Sequence, residues 1–131
     1  WLDSAAPTSG WTVTNLEQIA RWDADLIVLI VWHRLDPDQV VARLKSDPQW
    51  RALRTVRQGG LRVFPFDFHA WDTPDPRWLL GMTWMAKTLH PDRFQELDME
   101  AEVRSFFHTL YGMDEEEITR DIMSKVRLDV R

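Results

Sequence analysis

Two short apolar segments constrain the fold of this chain more than any other feature of its sequence. Residues 26–31 read LIVLIV, and residues 61–66 read LRVFPF directly after Gly59 and Gly60. Because the first segment is apolar without alternation, we expect a strand that is covered on both faces, as in a parallel sheet between helices. A helical segment connects the two strands, which predicts a right-handed parallel crossover.

The other periodic segments predict helices around these strands. Thr14 and Glu17 have the spacing of a capping box at the start of one helix, and Pro37 opens the next helix. An apolar helix over residues 76–89 has little polar surface, so we expect it to be largely buried. Further helices follow, one of them capped by Asp98 and ended by Gly112. The predicted fold class is therefore α/β, a small parallel sheet covered by helices (a Rossmann-like lobe) with a helix-rich C-terminal half.

The length of 131 residues fits one domain, and we assign residues 1–131 to a single domain with residues 1–13 as a loop or leader. Two doubly covered strands need neighbours along their outer edges. Either the N-terminal loop supplies another strand, or part of the domain lies upstream of Trp1. We favour the second alternative, and therefore expect an incomplete lobe with an exposed apolar flank.

Composition excludes several classes of function. The formal net charge of −5 argues against nucleic acid or an anionic membrane surface as the main partner. The absence of cysteine excludes disulfides and thiolate catalysis. No apolar run reaches the roughly 18 residues of a membrane-spanning helix. Hydrolase and phosphate-loop motifs are also absent, so neither an enzyme nor a cofactor is predicted.

The order of several segments resembles a known family of binding proteins. These segments are Trp11, TNLEQI at 14–19, DADLIV at 23–28, DPQWRAL at 47–53, VRQGGLRV at 56–63, WDTPDPRW at 71–78 and LHPD at 89–92. Together they resemble the C-terminal half of the class III, helical-backbone periplasmic binding proteins, which serve siderophores, haem, cobalamin and molybdate or tungstate. The resemblance extends from residue 11 to about residue 120.

The resemblance implies a periplasmic, non-enzymatic protein that binds a metal chelate or an oxyanion and delivers it to the permease of an ABC importer. Members of this family clamp their ligand between two lobes. This chain resembles the C-terminal lobe alone, so we expect its partners to include the N-terminal lobe or a second copy of the chain.

The residues expected to contact ligand lie in three places. Loop 67–72 follows the second strand at the end where parallel sheets bind ligands, and residues 32–34 follow the first strand on the same side. The resemblance adds a tryptophan before the first helix. The predicted ligand-binding residues are Trp11, Trp32, His33, Arg34, Asp67, Phe68, His69, Trp71 and Asp72.

Each of these predictions has a structural alternative. Trp11 has the form of a hydrophobic staple, Phe68 and Trp71 are typical of local packing, and the polar loop residues are typical of caps. His33 and His69 as joint metal ligands are a further hypothesis.

Glu17 matches the glutamate that, in this family, forms a salt bridge with arginines of the permease. The resemblance therefore implies that Glu17 docks the lobe on the permease. The alternative is that Glu17 is only the second member of the capping box.

Two other functions remain open from the sequence. One is a small metal-dependent hydrolase that uses His33, His69, Asp67 and Asp72. The other is an oligomerising fragment without independent ligand binding.

Overall fold

The computed structural model of the chain describes residues 12–31 and 35–129. Strands β1 (Ile27–Leu29) and β2 (Leu61–Val63) form a parallel sheet in which Ile27 lies opposite Leu61. The helices are α1 (Leu16–Trp22), α2 (Pro37–Ser46), α3 (Pro48–Ala52), α4 (Arg54–Arg57), α5 (Trp78–Leu89), α6 (Met99–Tyr111) and α7 (Glu115–Glu117), which continues as a π-helical turn (Ile118–Met123). Helices α2 to α4 form the predicted crossover.

Side chains of the two strands pack on both faces of the sheet. Val28 and Phe64 pack against the cluster formed by the C-terminal helices. Leu29 packs on the opposite face, where Val63 and Val41 of α2 form a second buried cluster. Since successive strand residues point to opposite faces, this packing explains the unbroken apolar run in β1. The predicted α/β fold class is confirmed.

Gly60 allows the end of the crossover to approach the segment before β1. A Cβ atom at this position would lie 2.3 Å from the backbone oxygen of Asp25, which no side chain tolerates. The amide of Ile27 donates to the Gly60 carbonyl at 2.9 Å, at the start of the strand pair. The two glycines after the crossover therefore serve different purposes. Gly59 adopts a left-handed backbone conformation with a φ of 76°, and Gly60 leaves space for the backbone of Asp25.

The main core lies in the C-terminal half. Its most deeply buried side chains include those of Trp71, Val103, Phe107 and Ile118, whose exposed fraction is 2% or less. Helix α6 presents Val103 and Phe107 to this core between an Asp98 cap, which accepts from two backbone amides, and Gly112 in the left-handed conformation. Both ends of α6 agree with the sequence prediction.

Two local predictions are wrong. Asn15, not Thr14, caps α1, because the Asn15 side-chain oxygen accepts from the Gln18 amide at 2.9 Å. Glu17 is therefore the second residue of the helix and makes no capping-box bond. The strands are also shorter than predicted, since Pro65 lacks an N–H and the last pairing bond is that of the Phe64 amide to the Leu29 carbonyl, 2.8 Å.

Helix α5 is less buried than its composition suggests. Only one face, which carries Leu80, Gly81 and Trp84, lies in the core. The other face is about half exposed and apolar, so the prediction of a largely buried helix is wrong. The exposed side chains on this face are Trp78, Leu79, Met82 and Leu89.

Candidate functional site at the strand ends

The carboxyl ends of β1 and β2 meet at one edge of the sheet, beside the start of α2. A cavity of about 120 Å³ lies at this edge, and we call it the strand-end pocket. Its lining comes from the end of β1 at Val31, the entry to α2 at Leu35 and Pro37, and residues 66–70 after β2. Ligands in open parallel sheets bind outside this end of the strands.

Asp67 determines the conformation of the loop after β2. Its carboxylate has no exposed surface. One oxygen accepts hydrogen bonds from the backbone amides of Phe68 and of His69, the latter at 3.2 Å. The other oxygen accepts from the indole Nε1 of Trp71 at 3.4 Å. These bonds fold the loop around a buried charge, which a protein interior accepts only when it is hydrogen-bonded and paired.

The counter-charge of Asp67 is Arg77. The Arg77 Nε lies 3.1 Å from the Asp67 carboxylate, and Nη1 of the same guanidinium lies 3.1 Å from Asp75. Among the described residues, Arg77 Nε has no aligned hydrogen bond, so the contact with Asp67 is mainly one of opposite charges. Arg77 thus joins the loop to the turn before α5 and neutralises the charge beneath the pocket.

Phe68 and His69 form the outer part of the loop. The Phe68 ring is 47% exposed, and the ammonium group of Lys125 lies 4.1 Å from its centroid. His69 is also exposed. His69 therefore offers a donor at the strand-end pocket, while the Lys125 ammonium group lies against the Phe68 ring and donates to the Asp121 carbonyl at 2.9 Å.

Trp71 and Asp72 are less exposed than Phe68 and His69 of the same loop. Trp71 has no exposed surface and packs in the main core, which favours the packing alternative for this residue. Asp72 is half-buried, and its Oδ1 has no hydrogen-bond partner in the described part of the chain. An acceptor in this position is available to a donor group that reaches the loop.

The other predicted contacts, Trp11, Trp32, His33 and Arg34, lie outside the described residues. The structure therefore brings together the predicted residues of loop 67–72 only. Ligand contact by Phe68, His69 and Asp72 stays a prediction, as does the pairing of His33 with His69.

Two charged residues of this region were not predicted from the sequence. Arg77 was part of the segment that carries the family resemblance, and a search for a counter-charge to a buried aspartate would have indicated it. Lys125 follows the last helical turn, far from the loop in sequence, and no local pattern links it to Phe68.

Glu17 lies on α1, which precedes β1. Its side chain is exposed, and it borders a groove of about 600 Å³ between α1 and α3, which we call the Glu17 groove. The walls of the Glu17 groove are Asn15, Leu16, Glu17, Ala20, Gln49, Ala52 and Leu53.

Within residues 12–31 and 35–129, no group of three or more histidine, cysteine or acidic side chains has an arrangement that could hold a metal ion. None of the helices in these ranges combines the length and the apolarity needed to cross a membrane.

Two solved structures are similar to this chain. A periplasmic solute-binding protein from Veillonella parvula superposes with a TM-score of 0.68 and 26% identity over 93% of this chain and 38% of its own. Molybdate-bound MolA, the periplasmic binding protein of an ABC transporter from Haemophilus influenzae, superposes with a TM-score of 0.65 and 28% identity over 84% of this chain and 33% of its own. Both solved proteins are periplasmic binding proteins, and the similarity of each extends over most of this chain.

The sequence of this chain is also similar to that of a curated protein, the molybdate-binding protein MolA of Haemophilus influenzae. The two sequences are 31% identical over 109 residues, which are 82% of this chain and 30% of MolA. No protein-family model matches the sequence. The chain thus spans about a third of the length of the relatives it matches.

Proposed function

We propose that the chain is the C-terminal lobe of a periplasmic solute-binding protein that captures molybdate or tungstate for an ABC importer. The observation that carries this proposal is the similarity to MolA, which extends over most of the chain. The N-terminal lobe, or a second copy of the chain, would supply the opposite wall of the ligand site.

The similarity to MolA is what favours an oxyanion over a metal chelate. The strand-end pocket, of about 120 Å³, supplies only one wall of the proposed ligand site, so its volume sets no limit on the size of the ligand.

Donor groups for an anion lie near the pocket, together with the exposed carboxylate of Asp36 at the entry to α2. Asp67, the buried carboxylate beneath the pocket, is neutralised by Arg77 and by its hydrogen bonds. His69 and Lys125 offer donor groups on the outer side of the loop. A buried oxyanion needs such donors, because hydrogen bonds to charged groups are the strong ones.

Asp72 has a different role in this proposal. A carboxylate in contact with a dianion would repel it, so Asp72 is expected to orient a cationic side chain and not to touch the ligand. Arg34, predicted on the same side of the sheet, is our candidate for that side chain, with Trp11, Trp32 and His33 as further contributors to the ligand site.

Glu17 is proposed as the docking residue for the permease. Its carboxylate is exposed beside the Glu17 groove, so it is accessible to an arginine of a membrane partner. Its position as the second residue of α1, without a capping-box bond, leaves the carboxylate free of the structural role considered as an alternative.

The hydrolase alternative is not favoured. The similar proteins are binding proteins. In addition, both oxygens of Asp67 accept hydrogen bonds from its own loop, and Arg77 pairs with one of them. This carboxylate is therefore unavailable as a metal ligand or a general base.

Isothermal titration calorimetry tests the proposed ligand. Titration with molybdate or tungstate should give saturable heat, and titration with haem or cyanocobalamin should give none. His69→Gln should weaken molybdate binding by about tenfold, the value of one lost hydrogen bond to a charged group. His108→Gln, at an exposed histidine on α6, is the matched control and should bind as the wild type does.

Saturable binding of haem or cyanocobalamin without binding of either oxyanion would contradict the oxyanion assignment. Equal molybdate affinity in His69→Gln and His108→Gln would remove His69 from the ligand site.

A further inference from the structure

A second groove, with a basic rim, adjoins the Glu17 groove. It has a volume of about 600 Å³ and is open to solvent, and we call it the basic groove. Its lining combines apolar side chains of α3 and α4 with three cationic side chains. These residues are Pro48, Ala52 and Val56, together with Lys45, Arg51 and Arg57.

The three cations of the basic groove are not neutralised locally. Among the described residues, no carboxylate forms an ion pair with Lys45, Arg51 or Arg57. Their neighbour Arg54 shows the contrast, since it pairs with Asp23 at 2.9 Å and Asp25 at 2.8 Å. In a chain with a net charge of −5, the basic groove is therefore a local concentration of unpaired positive charge.

The two grooves share one wall. Ala52 of α3 lines both the basic groove and the Glu17 groove. An exposed acid and a group of unpaired cations thus lie on either side of a single short helix. A partner that covers one groove would reach the other. To match both, it would need a positive charge opposite Glu17 and negative charges opposite the basic groove.

We propose that the basic groove binds an acidic polypeptide segment of the permease, next to the positive charge that Glu17 engages. This inference rests on the proposed docking function of Glu17. It adds a second contact, in which the charge on the lobe is positive where that of Glu17 is negative. Two contacts would fix the orientation of the lobe on the membrane protein, because the lobe can rotate about a single ion pair.

The lining of the basic groove favours a polypeptide over a lipid surface. The cations lie beside the apolar side chains of Pro48, Ala52 and Val56 in a groove that is open to solvent. A segment with Asp or Glu beside one apolar residue matches both parts of the lining, because guanidinium groups bind carboxylates in a bidentate manner.

The test is the binding of the chain to the cognate permease in phosphatidylcholine nanodiscs. The triple variant Lys45→Gln/Arg51→Gln/Arg57→Gln should bind about 25-fold more weakly at low salt, or roughly threefold for each exposed ion pair lost. The difference should diminish in about 0.5 M salt, where charges are screened. Arg57→Gln alone should bind about threefold more weakly. Arg93→Gln, which removes the same charge from an exposed site outside both grooves, should leave affinity unchanged.

Further variants and membranes separate the outcomes. Loss of binding in Glu17→Gln with full binding of the triple variant would overturn the role of the basic groove and leave docking through Glu17 intact. No binding by the wild-type chain would overturn both proposals. A third outcome is that the wild-type chain binds permease-free phosphatidylglycerol nanodiscs, that the triple variant does not, and that neither binds the permease in phosphatidylcholine. This outcome would identify a lipid surface as the partner and refute the polypeptide.

Discussion

Asp67→Asn tests whether the buried carboxylate organises the loop beside the strand-end pocket. Asparagine keeps the size of the side chain and one carbonyl oxygen, which can still accept from the amides of Phe68 and His69. It replaces the second oxygen by an NH2 group. This group would face the indole N–H of Trp71 and the guanidinium of Arg77, so donors would oppose donors.

The magnitude follows from these contacts. Removing one partner of a buried ion pair costs about 3–5 kcal/mol. Arg77 keeps its 3.1 Å contact with Asp75 and is 19% exposed, which reduces that cost by roughly half. The misaligned donors add about 1 kcal/mol. We expect Asp67→Asn to lower the free energy of unfolding by about 3 kcal/mol, or the melting temperature by roughly 10 °C.

Urea denaturation followed by tryptophan fluorescence measures this change. Asp75→Asn is the matched control, because it removes the other carboxylate of Arg77 at a site that is 31% exposed. We expect it to cost about 1 kcal/mol. A cost for Asp67→Asn no larger than that for Asp75→Asn would refute the account of the loop.

Three further perturbations test other parts of the structure. Gly81→Ala should destabilise the chain by about 1–3 kcal/mol in thermal unfolding, although alanine favours helices, since the new Cβ would lie 2.7 Å from the backbone oxygen of Trp71; a stabilised variant would contradict this packing. A hydrogen bond from Arg120 lowers the pKa of Asp121 below its ordinary value, so Arg120→Gln should raise that pKa in an NMR titration. The stabilisation from this ion pair is present above the ordinary pKa of a carboxyl group and is lost as pH falls through the lowered pKa, and an unchanged titration midpoint would refute the pair. Met82→Gln should change the free energy of unfolding by less than about 0.5 kcal/mol, because half of the Met82 surface is exposed; a loss of 2 kcal/mol or more would show that this face of α5 is buried.

The parts of the fold that depend on residues close together in the sequence were predictable. The unbroken apolar run at β1 indicated a strand with two covered faces, and Val28 and Leu29 do pack on opposite sides of the sheet. Asp98 and Gly112 mark the ends of α6 as short-range capping rules predict. An exposed apolar flank was expected, but its location on α5 was not predictable, because composition shows which side chains favour burial but not whether another element covers them.

The candidate site was predictable only in outline. The position of loop 67–72 follows from the rule that ligands bind at the carboxyl ends of parallel strands. Its internal arrangement depends on the ion pair between Asp67 and Arg77 and on the approach of Lys125 to Phe68. The pair with Arg77 could have been sought only if the burial of Asp67 were already known. The contact of Lys125 with Phe68 depends on how the C-terminal segment packs, and no spacing in the sequence encodes it.

Anomalous diffraction from crystals of the chain grown with tungstate would show directly whether an oxyanion binds at the strand-end pocket. We expect a tungsten peak at the pocket, in contact with the imidazole of His69 and close to the Phe68 ring. A peak only in the basic groove, among Lys45, Arg51 and Arg57, would contradict this expectation, as would crystals with no tungsten peak at the strand ends.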